Sequence, residues 1–298
     1  MRLAVFTKNR TNPAYGAARL GAERAAAAFG AEVLHFVPQK GDDPVEQSTL
    51  IDAALALRPR PDAFVLSPVH AFLVDPAIRR IAAAGIPTIS FVSPIQAVPC
   101  VSHVSSDDYA LALGISEYLF ARLKGRGRVL VVTGPEDSFT SLERLRGFRD
   151  AAARHPDIEL TGTVAGDYVR DTARVRVAQW LSEHAAPDAC LVANDIMAVG
   201  VLDALDAAQC SAAVVGVNAI PEAIKAIAQG RMLATADFNA MQIAYLAAEC
   251  AVRHVNGEKV PAKVELPVQI VDLSNYSQWD LPYEQRPVLK LEELRRLK

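Results

Sequence analysis

From its second residue the chain alternates short apolar runs with longer segments of helical spacing. Arg2–Phe6, Glu32–Val37, Asp62–Leu66 and Gly85–Phe91 read as strands. Pro13–Phe29, Pro44–Leu57 and a segment through Ile78 and Ala84 read as the helices between them, with stop signals at Gly30, Pro59 and Gly85. The pattern restarts after Cys100. Helices at Asp107–Leu123, Ser141–Ala153, Arg170–His184, Ile196–Ala207 and Pro221–Ala228 alternate with strands at Arg128–Val132, Glu159–Val164, Asp188–Val192 and Ala213–Val217. Short apolar strands separated by helices fit parallel sheets covered on both faces. Two open parallel sheets are expected, because one sheet of about ten or more parallel strands would be unusually wide. The last part is less regular. Met232–Ala234 is strand-like, Met241–Val255 is a long helix ended by Asn256-Gly257, and Lys263–Val271 reads as one strand. The tail from Asn275 carries Trp279, Pro282, Pro287 and a charged run, Leu291–Lys298, that reads equally as a short amphipathic helix or a frayed end.

Composition adds limits. The chain has 298 residues, 51% hydrophobic and 22% charged, with a net charge of -3. That suits a globular protein of two domains with sizeable cores. The slight negative balance removes any general electrostatic drive toward nucleic acid or anionic lipid. No uninterrupted apolar window is long enough to suggest a membrane-spanning helix. No basic-apolar leader precedes the first strand, so either the protein stays in the cytoplasm or a leader has been removed ahead of Met1. Cys100, Cys190, Cys210 and Cys250 lack any metal-ligand spacing and are expected as buried free thiols.

Several chemistries lack their residues. Thr7–Pro13 follows the first strand where a dinucleotide-binding glycine loop would stand. There is no phosphate-binding loop of the G-x-x-x-x-G-K type, and Ser67, Ser93 and Ser138 have no nucleophile elbow. The histidines lie far apart in sequence, so no metal site and no cofactor are expected, and no catalytic constellation appears. Asp107-Asp108 precedes an apolar-periodic segment and reads first as a helix N-terminus, with a pocket contact as the second reading. Asn194-Asp195 precedes a helix in the same way. Asp195 is read as structural, whereas Asn194 ends a strand where an amide can both donate to and accept from a neutral polar ligand.

Six local patterns then fall in register. They are Leu3–Phe6 leading to Thr7–Tyr15, Ser105–Asp108 opening a helix, and Arg144–Phe148 inside one. Ala193–Gly200 follows a strand, Val214–Asn218 precedes Pro221, and Gly230–Thr235 follows the next helix. In this order, over residues 2 to about 273, the chain resembles the type I periplasmic binding proteins of sugar transporters, the ribose-binding branch. It also resembles the effector-binding core of LacI-type repressors. The resemblance implies an α/β fold of two Rossmann-like lobes with parallel sheets flanked by helices, joined by three crossover segments. The N-terminal lobe would hold 1–103 and 238–268, the C-terminal lobe 107–234 and 273–298, with hinges near 101–106, 235–238 and 268–273.

The implied function is ligand capture by hinge closure in an interlobe cleft, as the solute-binding protein of an ABC importer. The implied partners are a small neutral polar ligand and a membrane permease, with the chain monomeric and periplasmic. A soluble sensor component of the same fold is the alternative reading, and an enzyme is a third, less favoured one. DNA binding is not expected, because the core pattern begins at the second residue with no helix-turn-helix ahead of it.

Carried over by position, the resemblance places Asn12 and Tyr15 in the first strand-helix loop, with the aromatic positioned to stack on a sugar ring. It makes Asn194 the ligand-binding asparagine and Asn218 the replacement for an aspartate. Other positions depart from the sugar pattern. Val92 stands where the family has aspartate, Leu142 where it has arginine, Ser67 where it has asparagine or aspartate, and Phe238 where it has glutamine. Asp237, Arg144 and Asp107 are secondary candidates, with Arg144 placed to take over from Leu142. Valine, leucine and phenylalanine cannot make charge-assisted bonds to hydroxyls. A smaller polyol, a deoxy or modified sugar, or a partly apolar metabolite is therefore expected rather than a standard aldopyranose.

Overall fold

The computed structural model describes residues 1–296. The chain divides into two units, Met1–Ser106 with Asn239–Leu266 and the tail from Tyr283 onward, and Asp107–Phe238 with Pro267–Pro282. The first unit contains β1 (Arg2–Phe6), α1 (Pro13–Phe29), β2 (Glu32–Phe36), α2 (Pro44–Ala56), β3 (Ala63–Leu66), α3 (Asp75–Ala83), β4 (Thr88–Phe91) and β5 (Ser102–Ser106). The second contains α4 (Asp108–Arg122), β6 (Gly127–Thr133), α5 (Phe139–Ala152), β7 (Ile158–Ala165), α6 (Arg170–Glu183), β8 (Ala189–Val192), α7 (Asp195–Ala207), β9 (Ala213–Val217), α8 (Pro221–Ala228) and β10 (Ala234–Asp237). Next come α9 (Ala240–Val255), β11 (Lys263–Leu266), β12 (Gln269–Asp272) and a short terminal helix, α10 (Leu291–Arg296).

Each unit is built on a six-stranded sheet. Strand order is β11-β5-β4-β3-β1-β2 in the first and β12-β10-β9-β8-β6-β7 in the second. All pairings are parallel except β10–β12, which runs antiparallel with Ala234 opposite Asp272. In the first unit Ala4, Phe6, Phe64 and Leu66 share one sheet face and pack on Ile51, Ile78 and Ile81. Phe6 stacks between Phe36 and Phe64, with centroids 4.8 and 5.3 Å away.

The helix ends follow local chemistry. Asn12 caps α1 through its side chain, Pro13 supplies a preset first-turn φ, and Gly30 closes the helix at φ 70°. The buried stripe of α1 is mostly alanine, with Gly21 where it meets α9. A Cβ on Gly21 would lie 2.1 Å from the Met241 carbonyl oxygen, so only glycine permits this approach.

The two units meet in sequence at Ser106/Asp107, Phe238/Asn239 and Leu266/Pro267, at or beside the segments expected as hinges, and those segments carry the paired strands β5, β10 and β12. Three expectations need correction. The strand expected over Lys263–Val271 is two strands in different sheets, broken at Pro267, which has no N–H to give to a ladder. The tail from Tyr283 does not belong with the C-terminal lobe. It packs on the first unit, where Gln242 bonds Leu289 through both its amide atoms and the buried Glu249 accepts the Leu291 N–H at 2.9 Å. The run Leu291–Lys298 forms helix up to Arg296, and its last two residues lie outside those described. All four cysteines are free, but only Cys190 and Cys250 are buried, and burial pushes the Cys190 thiol up to about 12.

Candidate functional site

In each unit the carboxyl ends of the parallel strands carry polar side chains that the sheet core does not need. This is where open α/β sheets hold their ligands. In the first unit the chain leaves β1 through Thr7, Lys8 and Asn9, all buried. The Lys8 ammonium donates to Ser93 Oγ at 2.8 Å. Ser93 reaches that place because Val92 adopts φ 62° and the Ser93 N–H closes on the Phe91 carbonyl at 2.7 Å. That is a tight three-residue turn with a β-branched residue at positive φ, a strained conformation of a kind that gathers at functional sites.

Asn9 braces the loop, accepting from the Asn12 N–H at 3.0 Å and donating to Asp42 Oδ2 at 3.0 Å. Asn12 Oδ1 accepts the Ala14 N–H, so this oxygen serves as a helix cap. Tyr15 lies on the buried face of α1. Ser67, at the end of β3, is fully buried, and its carbonyl accepts from Gln47 at 3.0 Å. Its hydroxyl has no hydrogen-bond partner among the described residues.

In the second unit Arg144 is buried and anchored. It donates to Asp108 Oδ1 at 2.7 Å and to the Ala193 carbonyl at 2.6 Å, with its guanidinium 5.7 Å from the Phe238 ring centroid. Asp107 is exposed and caps α4 through the Ala110 N–H. Asn194 is buried, and its Oδ1 caps α7 at Met197. Asp195 is fully buried and accepts from Thr235 at 2.7 Å and from the Ile220 N–H at 3.1 Å. Burial pushes its carboxyl up to about 7, against those hydrogen bonds. Asn218 ends β9 at φ 122°, buried, and its Oδ1 has no partner among the described residues. Asp237 accepts the Trp279 indole N–H at 2.7 Å. Leu142 is 48% exposed, an apolar side chain at the position of the expected guanidinium.

The first unit thus gathers Asn12, Tyr15, Ser67 and Val92 at its strand ends and helix starts. The second gathers Arg144, Asn194, Asn218, Asp237 and Phe238, with Asp107 turned to capping. Sequence reasoning missed Lys8, whose only signal was a charge directly after an apolar strand. It also missed Tyr168, which sits at φ 59° and shares a hydrogen bond of 2.9 Å with Thr140, itself 3.1 Å from Ser138 Oγ. A Cβ on Gly134 would lie 2.4 Å from the Tyr168 ring, so a glycine at the end of β6 makes room for that ring. Among the described residues no cluster of three His, Cys, Asp or Glu could hold a metal, and no helix is long and apolar enough to cross a membrane.

Polar strand ends of open α/β sheets can hold a ligand. The model of the periplasmic binding protein domain matches residues 3–259, and the chain belongs to that family. It is 26% identical to the xylitol-binding protein of Mycolicibacterium smegmatis over 58% of this chain and 50% of that protein, so the match spans half of that relative's length. It is 27% identical to the ribose import binding protein RbsB of Salmonella typhimurium over 70% of each. The structure of the Caulobacter myo-inositol binding protein bound to myo-inositol superposes with a TM-score of 0.86 at 26% identity, covering 93% of this chain and 95% of that one.

Proposed function

We propose that this chain is the solute-binding protein of an ABC importer and captures a small neutral polyol or modified sugar. The observation that carries this reading is a pair of buried, unpartnered polar atoms at strand ends, Ser67 Oγ in the first unit and Asn218 Oδ1 in the second. Leaving such a group unsatisfied costs about 1–3 kcal/mol. A polyol hydroxyl bound at either strand end would satisfy the group there. Asn12, Tyr15, Asn194, Asp237 and Lys8 complete the proposed contact set, and Phe238 and Val92 supply apolar surface. The names of the relatives, which bind xylitol, ribose and myo-inositol, support the chemical class. The apolar residues at Val92 and Leu142 favour a ligand with fewer hydroxyls to satisfy than an aldopyranose. A membrane permease as partner, a periplasmic location, a monomeric chain and hinge closure on the ligand follow from the same reading.

A thermal-shift screen over tetritols, pentitols, pentoses, hexoses and deoxy sugars tests it. A neutral polyol or modified sugar should raise the melting temperature, and Asn218→Ala should abolish that rise while leaving the ligand-free protein folded. Scattering of the saturated protein should show a smaller radius of gyration. Tight binding of glucose with Asn218→Ala unaffected would overturn the reading.

A further inference from the structure

Trp279 lies beyond the residues 3–259 that the family domain matches, yet it reaches a strand end that the proposed site uses. The chain leaves β12 through a turn fixed at several points. Asp272 accepts from Tyr118 at 2.7 Å and from the Ser274 N–H at 2.8 Å, while Asn275 accepts from the Asp272 N–H at 2.9 Å and donates to the Ile270 carbonyl at 2.9 Å. A single 3-10 turn, Tyr276–Gln278, follows, and the Trp279 N–H closes it on the Tyr276 carbonyl at 2.8 Å. The indole is therefore delivered by rigid backbone.

Two contacts follow. The ring packs against Ala219, Ile224 and Val271, directly beside Asn218. Its Nε1 donates to Asp237 Oδ2 at 2.7 Å. Asp237 is buried at the end of β10, near the second buried carboxylate, Asp195. A hydrogen bond from that indole holds the buried carboxylate in one rotamer. One side chain thus fixes the ends of two adjacent strands, β9 and β10, that bear proposed ligand contacts.

We infer that Trp279 is a positioning residue for ligand binding, holding the Asp237 carboxylate through its indole N–H. The inference rests on the reading of Asp237 as a ligand contact given above. The test compares Trp279→Phe, which removes the N–H and keeps an aromatic ring, with Ile224→Val, which loosens the same packing and keeps the N–H. Xylitol, D-ribose, erythritol and glycerol serve as probes in titration calorimetry on the full chain. Both variants should lower the ligand-free melting temperature by a few degrees. Trp279→Phe alone should weaken probe binding, by about tenfold, with Ile224→Val within about twofold of the parent. Unchanged probe affinity in Trp279→Phe overturns the inference and leaves the proposed function standing. Equal weakening in both variants also overturns it, since packing would then be the cause. If the parent chain binds none of the four probes, the proposed function falls and this inference falls with it.

Discussion

The two sheets share one strand order but acquire their sixth strand differently. In the first unit β11 follows α9, which itself follows β10 of the second sheet, and the strand enters parallel to β5. In the second unit β12 comes two residues after β11, with no helix between, and it enters antiparallel to β10. Strand ends differ in the same sense. Those of the first unit are held around one buried lysine, Lys8 with Ser93, and by Asn9, which accepts from Asn12 and donates to the Asp42 carboxylate. Those of the second are held by buried carboxylates, each with its donor, Asp108 with Arg144, Asp195 with Thr235 and Asp237 with Trp279. The lesson is that a common sheet leaves the chemistry of its strand ends open, and that late segments of the chain complete it.

The largest effect should come from the helix contacts that each unit makes through a glycine. Gly21 faces the Met241 carbonyl in the first unit, and a Cβ on Gly200 would lie 2.3 Å from the Arg170 carbonyl in the second. Backbone cannot yield to a side chain, so Gly21→Val should cost about 4 kcal/mol or more. Hydrogen exchange should show protection lost in α1 and α9 for Gly21→Val, and in α6 and α7 for Gly200→Val. Protection lost equally across both units in either variant would mean that the two units unfold as one.

Next in size is removal of the tail from Tyr283 onward. It strips both bonds of Gln242 to Leu289, the Leu291 N–H from Glu249, the Arg286 carbonyl from Arg24, and Glu292 from Arg253. A loss on the order of 2–3 kcal/mol is expected, part of it offset because water reaches the exposed groups. Exchange should rise in α9 and stay unchanged in β6 and β8. A rise confined to the second unit would contradict the placement of the tail on the first.

These cases show which features a sequence displays. α1 was legible because its signals are local, with Asn12-Pro13 opening it and Gly30 closing it, and the same holds for strands such as Val129–Val132, apolar throughout. β5 was not, because Ser102-His-Val-Ser-Ser106 buries hydroxyls where a central strand ordinarily carries apolar side chains. β10 was displaced for the same reason. Its buried Thr235 and Asp237 have partners far off in sequence, Asp195 40 residues away and Trp279 42 residues away. Candidate contacts placed by family position, such as Asn12 and Asn194, emerged at strand and helix ends. The cap at Asn194 was equally visible, since an asparagine before a helix reads both ways.

One group in each unit should also respond to pH, the two in opposite directions. In the first, burial and then the charge of Lys263 lower His103 from 6.5 to about 4. The unfolded chain then binds more protons between these values, so this group's contribution is complete above pH 6.5 and is lost as pH falls toward 4. In the second, Asp195 rises from 3.8 to about 7, and the folded state holds the extra proton. Its effect is absent below pH 3.8, and stability falls as pH rises toward 7, by an amount on the order of a few kcal/mol. Asp195→Asn should flatten the loss of melting temperature between pH 4 and 7, and His103→Gln should flatten the gain between pH 4 and 6.5. An Asp195→Asn curve parallel to that of the parent would mean that Asp195 stays ionised, held by Thr235 and Ile220.

The smallest change in stability belongs to Val92, where the contrast between the two sets of strand ends can be sharpened directly. Its φ of 62° is costly for a β-branched residue, and asparagine tolerates that region better. Val92→Asn therefore relieves backbone strain of about 1 kcal/mol while exchanging buried apolar contact for an amide. These terms nearly cancel, and the ligand-free melting temperature should move by no more than a few degrees in either direction. Binding should respond more clearly. An amide beside Lys8 and Ser93 adds a donor and an acceptor to strand ends whose apolar character was read as selecting against hydroxyl-rich rings. In calorimetric titrations the variant should gain affinity for aldopyranoses such as allose relative to xylitol, by about fivefold to tenfold. An unchanged allose-to-xylitol ratio in a folded Val92→Asn protein would show that Val92 does not set ligand class, and would shift that role to Leu142 and Phe238 in the second unit.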